Sequence, residues 1–208
     1  MIPRTKILQL GEIEAVVSKL RPKCARSKNA RVNLVVFRLA CSGLRVMEIV
    51  RLEMRDVLLD TPVPVLRLRK GNTKGGKPRE VPIDWSAEAL EDVKQWYDRR
   101  RREGARDNDP FVCKQAKGVL GKPFCETEAA KRWKTAIIPL GPQRVRQLSI
   151  HCGRHSFVSH SLASGVESAA IRDATGHASI KVLDQYAHPT DRIGRIKIYP
   201  GKSAATTP

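Results

Sequence analysis

The spacing of apolar residues departs from a helical period in only one place along this chain, and that departure limits the fold more than any other feature. Over residues 29–41 the apolar positions Val32, Val35, Val36, Leu39 and Ala40 recur at helical spacing, the pattern of a buried helix. Ser42-Gly43 breaks that helix, and a second is expected from Leu44 onward, with Arg45 and Glu48 three apart on one side of it. Residues 63–69 then alternate, with Val63, Val65, Arg67 and Arg69 set against Pro64, Leu66 and Leu68, as a strand does. Residues 71–76 are a turn by composition and residues 79–83 a returning strand, so the pair predicts a β-hairpin with Lys74 at its tip.

Elsewhere the pattern is helical. Residues 9–20 read as a short amphipathic helix ended by Arg21-Pro22-Lys23, because proline disfavours the helical conformation in the residue before it. Residues 86–102 read as a long helix with Ser86 as N-cap and Arg99 to Arg102 as a solvated end. Residues 104–123 are turn-rich, and a helix over 126–138 is closed by Pro139 and Gly141-Pro142. Three further helices are predicted at about 150–164, 167–175 and 179–187. The fold class is therefore mainly α with a small antiparallel β-sheet (α+β). Neither an internal repeat nor a linker divides the chain, so residues 1–190 are expected to form one domain and 191–208 a partly disordered tail.

Charge says what such a domain meets. Thirty-nine Lys and Arg against 21 Asp and Glu give +18 and a pI near 10.2, which calls for a polyanion, with nucleic acid the default over a membrane surface. No apolar run reaches the roughly 18 residues of a spanning helix, and the N-terminus lacks a signal-peptide core. The five cysteines, Cys24, Cys41, Cys113, Cys125 and Cys152, include no Cys-x-x-Cys pair. They read as reduced thiols, buried or half-buried, in a cytoplasmic, nucleoid-associated protein. Aromatic residues make up only 5%, too few for a single-strand stacking platform.

All five histidines fall between residues 151 and 188, in the same stretch as Arg154 and Tyr186. Phosphodiester cleavage puts extra negative charge on the non-bridging oxygens, which metal ions or fixed cations can neutralise. Two-metal sites need convergent carboxylates, and Glu48, Asp173 and Asp184 are too few and too scattered. The expectation is no metal and no cofactor. Arginine suits the fixed-cation role because its planar fork gives one phosphate two donors and keeps its proton. Arg45 and Arg154, with His177 as a third donor, are the candidates. Tyr186 is the candidate nucleophile, its weak phenol needing a base or strong local positive charge. Lys74, on the hairpin tip, would protonate the departing deoxyribose oxygen, with Lys70 its rival. Lys70, Lys77 and Arg79 flank the hairpin as candidate contacts to the DNA backbone. His151 and His155 also have zinc-site spacing, but Cys152 stands where a metalloprotease helix needs Glu. His155 reads as a capping or core hydrogen-bonder, and His160 as a partly exposed helix residue.

The ordered set Ser42-Gly-Leu-Arg45-Val-Met-Glu48-Ile, Lys74 seven residues before Val81-Pro82, His151-x-x-Arg154-His155, Gly176-His177, and Tyr186 nine residues on resembles the tyrosine recombinase (phage integrase) family. The resemblance covers residues 8–190. It implies that Arg45, Arg154 and His177 bind the scissile phosphate and that Lys74 is the general acid. It also implies His151 as general base or proton shuttle, Glu48 as a support, and Tyr186 as nucleophile. The activity implied is DNA recombination through a 3′-phosphotyrosyl intermediate, as in the integrases of mobile genetic elements, without metal or ATP. The implied partner is double-stranded DNA, bound as a tetramer, with a monomer expected in solution. A type IB topoisomerase and a non-catalytic DNA-binding relative are the alternatives.

Two departures stand out. The family usually has a leucine before the second arginine, where this chain has Cys152-Gly153. Gly153 adds backbone freedom there, at about 0.5–1 kcal/mol of helix stability. The family also usually carries a DNA-clamping domain ahead of the catalytic one. Arg45 lies too near the first residue for that, so the expectation is a chain lacking the domain and gripping DNA from one side.

Overall fold

In the computed structural model, residues 2–72 and 77–186 are described. The architecture is built around α2 (Lys28–Cys41), which buries almost its whole length from Val32 to Cys41. Ser27 caps it by accepting from the Ala30 N–H. Four helices pack on α2: α1 (Leu10–Cys24), α4 (Ala87–Arg102), α5 (Glu126–Ala136) and α7 (His151–Ala163). Phe37 of α2 stacks on Trp133 of α5 at 5.3 Å between ring centroids, and the two fully buried indoles donate to backbone carbonyls, Trp96 to Phe111 and Trp133 to Leu148. α3 (Val46–Arg51) follows α2 directly; α6 (Pro142–Gln147) and α8 (Ser168–Thr175) complete the α-helices among the described residues.

Among those residues the sheet has three antiparallel strands in the order β1 (Val57–Leu58), β2 (Val65–Leu68), β3 (Arg79–Pro82). The predicted hairpin is β2 and β3, with Leu66 opposite Val81 and Leu68 opposite Arg79. Its tip, including Lys74, lies outside the described residues, as do His188 and the tail.

Several expectations are corrected. α1 does not stop at Arg21 but runs through Pro22 to Cys24. Proline costs the bond to the carbonyl of Ser18, which sits on the exposed side, while Arg21 is tied to Asp92 at 3.0 Å and holds the last turn in place. α6 begins at Pro142, which was expected only to close the preceding helix; proline is well suited to the first helical position. The predicted last helix is a 3-10 helix, Ile180–Tyr186. The run Arg99 to Arg102 is solvated only in part: Arg102 is exposed, whereas Arg100 is buried against the Pro110 carbonyl and Arg101 binds Tyr97 and Asp107. Cys125 is exposed, because it occupies the N-terminal cap of α5.

Gly153 turns out to be a packing requirement. A Cβ there would sit 2.8 Å from the Ala40 carbonyl carbon and 2.9 Å from its Cβ, so α7 approaches α2 closely only because residue 153 has no side chain. That approach sets the depth of Arg154, the next residue.

Candidate active site

The site assembles where the start of α3, one face of α7 and the end of α8 meet. Arg45 caps α3 with an extended backbone. Glu48, in the first turn and 1% exposed, accepts from the Arg45 N–H at 2.8 Å and from its guanidinium at 3.1 Å. The helix expected from Leu44 starts instead at Val46, so the two residues meet as cap and first turn rather than on one helical face, and form a direct ion pair. Arg79, from β3, donates at 2.8 Å to Glu48 Oε2, the oxygen that also accepts the Arg45 N–H.

The arginines also organise the end of α8. Arg79 Nε donates to the Ala174 carbonyl, and Arg45 donates to those of Thr175 and Gly176. These are the carbonyls a helix leaves unpaired at its negative end, where cations are favoured. Gly176 terminates α8 in the left-handed region, with φ +66. A Cβ there would meet the Arg79 guanidinium at 3.0 Å. The turn delivers His177 to the cluster, its Nδ1 2.7 Å from Thr175 Oγ1 and its Nε2 3.2 Å from Arg154 Nη2. An arginine can only donate, so Nε2 accepts and Nδ1 carries the proton.

Arg154 is buried, with Nη1 donating to the Gly43 carbonyl at 2.7 Å. Burial, then Arg45 and Arg79, push its guanidinium down to about 9, still charged at neutral pH. Burial first, then Arg154, Arg45 and Arg79, lower His177 to about 4, so its imidazole is neutral. Positive charge is packed here beyond what Glu48 offsets.

Tyr186, 4% exposed, ends the 3-10 helix and packs in a small second core with Val158, Ile171 and Leu183. Its ring lies 5.9 Å from that of His177. Its hydroxyl is 3.0 Å from Nδ1 of His155, one turn along α7 from His151. Burial raises the phenol above its ordinary value, and Arg154 and Arg45 pull against that. Arg45, Met47, Arg51, His151, Arg154 and His155 line an open groove of about 750 Å³.

Of the sequence-predicted residues, Arg45, Glu48, Arg154, His177 and Tyr186 therefore converge. His151 is exposed on the groove wall. Lys70 and Lys77 are exposed beside the hairpin, and Lys77 lines a second depression with His177. Arg79, expected to face DNA, has its guanidinium engaged with Glu48 and α8. Two residues of the cluster escaped the sequence reading in these places: Arg79 as a brace, and His155 at the phenol. Their partners are 31 residues away in each case, a separation that no local spacing reports. Among the described residues no group of three or more His, Cys, Asp or Glu side chains is placed to hold a metal ion, and no helix is long and apolar enough to cross a membrane.

The chain belongs to the phage integrase family, whose model matches residues 7–192. It is similar to tyrosine recombinase XerA of Pyrococcus furiosus, 29% identical over 189 residues that cover 91% of this chain and 60% of the relative. It is also similar to tyrosine recombinase XerD of Staphylococcus saprophyticus, 26% identical over 185 residues, 88% of this chain and 57% of that one. Among solved structures, XerH site-specific recombinase bound to palindromic difH substrate in a post-cleavage complex matches with a TM-score of 0.66 at 22% identity, over 88% of this chain and 49% of the other. The chain thus spans roughly half to three-fifths of the length of these relatives.

Proposed function

We propose that residues 1–190 act as the catalytic domain of a site-specific DNA recombinase. It cuts double-stranded DNA through a 3′-phosphotyrosyl intermediate and reseals it without metal or ATP. The supporting observation is the meeting of Arg45, Arg154, His177 and Tyr186, drawn from three separate stretches of chain, with a surplus of positive charge. In this reading Arg45 and Arg154 each offer donors to the non-bridging oxygens of the scissile phosphate. That anion offsets the mutual repulsion of Arg45, Arg79 and Arg154 and draws His177 toward its protonated, donating form. Glu48 and Arg79 hold Arg45 and the α8 terminus in register. Tyr186 attacks in line, Lys74 protonates the leaving 5′-oxygen, and His151 exchanges protons with solvent at the groove. Lys70 and Lys77 contact the DNA backbone. The covalent link stores the energy of the broken bond, so the step reverses onto a new strand.

The net charge of +18 and the DNA-bound state named for the XerH structure support DNA as the partner. Assembly is a tetramer on DNA from monomers in solution. The test is a nicked suicide substrate, from which the cleaved end diffuses away and traps the adduct. The wild-type chain should form a denaturation-resistant protein–DNA band, and Tyr186→Phe should abolish it while keeping DNA affinity within about twofold. A persisting band would show that another residue is the nucleophile. Relaxation of supercoiled plasmid without sequence preference would favour the topoisomerase alternative.

A further inference from the structure

Tyr186 stands on a weak element. Its 3-10 helix, Ile180–Tyr186, runs for seven residues, longer than the three or four that this geometry usually sustains. Among the described residues, the core under it buries Val158, Ile171, Leu183 and the tyrosine itself. Attack on phosphorus demands a well-placed oxygen, since a displacement of about 1 Å can cost about 10²-fold in rate.

Residues 2–8 add the missing hold. The Ile2 N–H donates to the Gln185 carbonyl at 2.8 Å, an acceptor of the kind that the end of a helix leaves unpaired. The Ile2 side chain packs on the same small core as Tyr186. Pro3 comes next with φ −59, the range to which its ring confines it, so little backbone freedom is lost in presenting Ile2. A short turn, Arg4–Lys6, then leads to Leu8, which is fully buried in the main core. The Leu8 N–H donates to Ser156 Oγ and its carbonyl accepts from His160 Nε2, both at 2.7 Å. Arg144 of α6 donates to the carbonyls of Thr5 and Ile7 and pairs with Glu12, and Lys6 donates to the Gln147 carbonyl at 2.8 Å. One end of this segment is therefore fastened to α6 and α7, and the other lies against the turn that carries the tyrosine.

We infer that residues 2–8 are a strap that positions the nucleophile, with Ile2 as the positioning residue at its end. The inference rests on the phosphotyrosyl reading above. The strap is anchored on α7, the helix that carries Arg154, so a phosphate-binding side chain and the phenol are held in register from one element. Ile2 acts through Tyr186, on the rate of attack and not on DNA affinity.

The test uses the full chain and the nicked suicide substrate under single-turnover conditions. Ile2→Ala removes most of the side chain that seats the tyrosine and should slow adduct formation about tenfold, with DNA affinity within about twofold of wild type. More DNA should not restore the rate. Ile2→Val, which keeps most of the apolar volume, should recover it to within about threefold. Amide hydrogen exchange should quicken in Ile2→Ala at residues 183–186 and stay as in wild type along α2. An unchanged rate in Ile2→Ala, a loss of DNA affinity in step with the rate, or exchange that quickens along α2 as well would each overturn the assignment. Faster adduct formation in Ile2→Ala would overturn it too, by showing that the strap holds the tyrosine back. If the wild-type chain forms no adduct, the phosphotyrosyl reading fails and this inference with it; an adduct in the wild type with Ile2→Ala unimpaired sinks the inference alone.

Discussion

Two arginine clusters are packed into this molecule, and they differ in how their charge is balanced. At the α1, α2 and α4 junction, Arg21 and Arg38 share Asp92 and Glu88, with Arg38 bonded to Asp92 at 2.8 Å and Arg21 at 3.0 Å. At the other cluster Arg45, Arg79 and Arg154 gather around Glu48 and the end of α8. The first cluster is closed, and Asp92 raises Arg21 above its ordinary value. In the second, burial and like charges lower both Arg154 and His177. A fold that only needed an ion pair would resemble the first. The second carries an electrostatic cost that a bound phosphate would relieve, as expected of a site preorganised for developing negative charge.

Paired substitutions break or sharpen that contrast. Arg154→Ala should reduce adduct formation by about 10²–10³-fold, while relief of the repulsion offsets part of the cost, about 1–3 kcal/mol, of leaving the buried Gly43 carbonyl unpaired, so folding stability changes little. Arg38→Ala should do the opposite: it strands half of the Asp92 pairing in the core and should cost about 3 kcal/mol in denaturant unfolding. Equal behaviour of the two variants would erase the distinction. Next in size is Gly153→Ala. Helix propensity alone would make it stabilising, whereas the contact with Ala40 predicts a loss of about 1–3 kcal/mol, so the sign of the measured change decides between them.

The smallest effect concerns pH. His177 binds its proton less readily in the fold than in the unfolded chain, so the unfolded state takes up more protons between the ordinary histidine value and about 4. The stabilising contribution is full above that window and is lost as pH falls through it. His177→Asn should flatten the fall in melting temperature over this interval. An equally steep fall in the variant would place the titration elsewhere.

The order of elements and most of the site could be read from the chain because both are local properties. Val32 to Ala40 carry helical spacing, Ser86 is a recognisable cap, and Arg45 and Glu48 are one turn apart. What escaped has physical causes. β1 is two residues long, too short for an alternation to show, and α6 spans six residues behind a proline that also reads as a stop. Pro22 was read as a helix end by its local rule, yet tertiary ties at Arg21 outweigh one lost hydrogen bond. Arg79 looked like any basic residue beside a hairpin, and its binding of Glu48 depends on how β3 lies against α8. His155 shares the groove with His151, as their i,i+4 relation implies, but its contact with the Tyr186 hydroxyl depends on how the last 3-10 helix packs on α7, which no local spacing reports.

The most direct measurement is the chemical identity of the trapped adduct. Digestion of the suicide-substrate complex and mass spectrometry of the nucleotide-bearing peptide should locate a 3′-phosphate ester on Tyr186. A link to any other residue, or through a 5′-phosphate, would contradict the account.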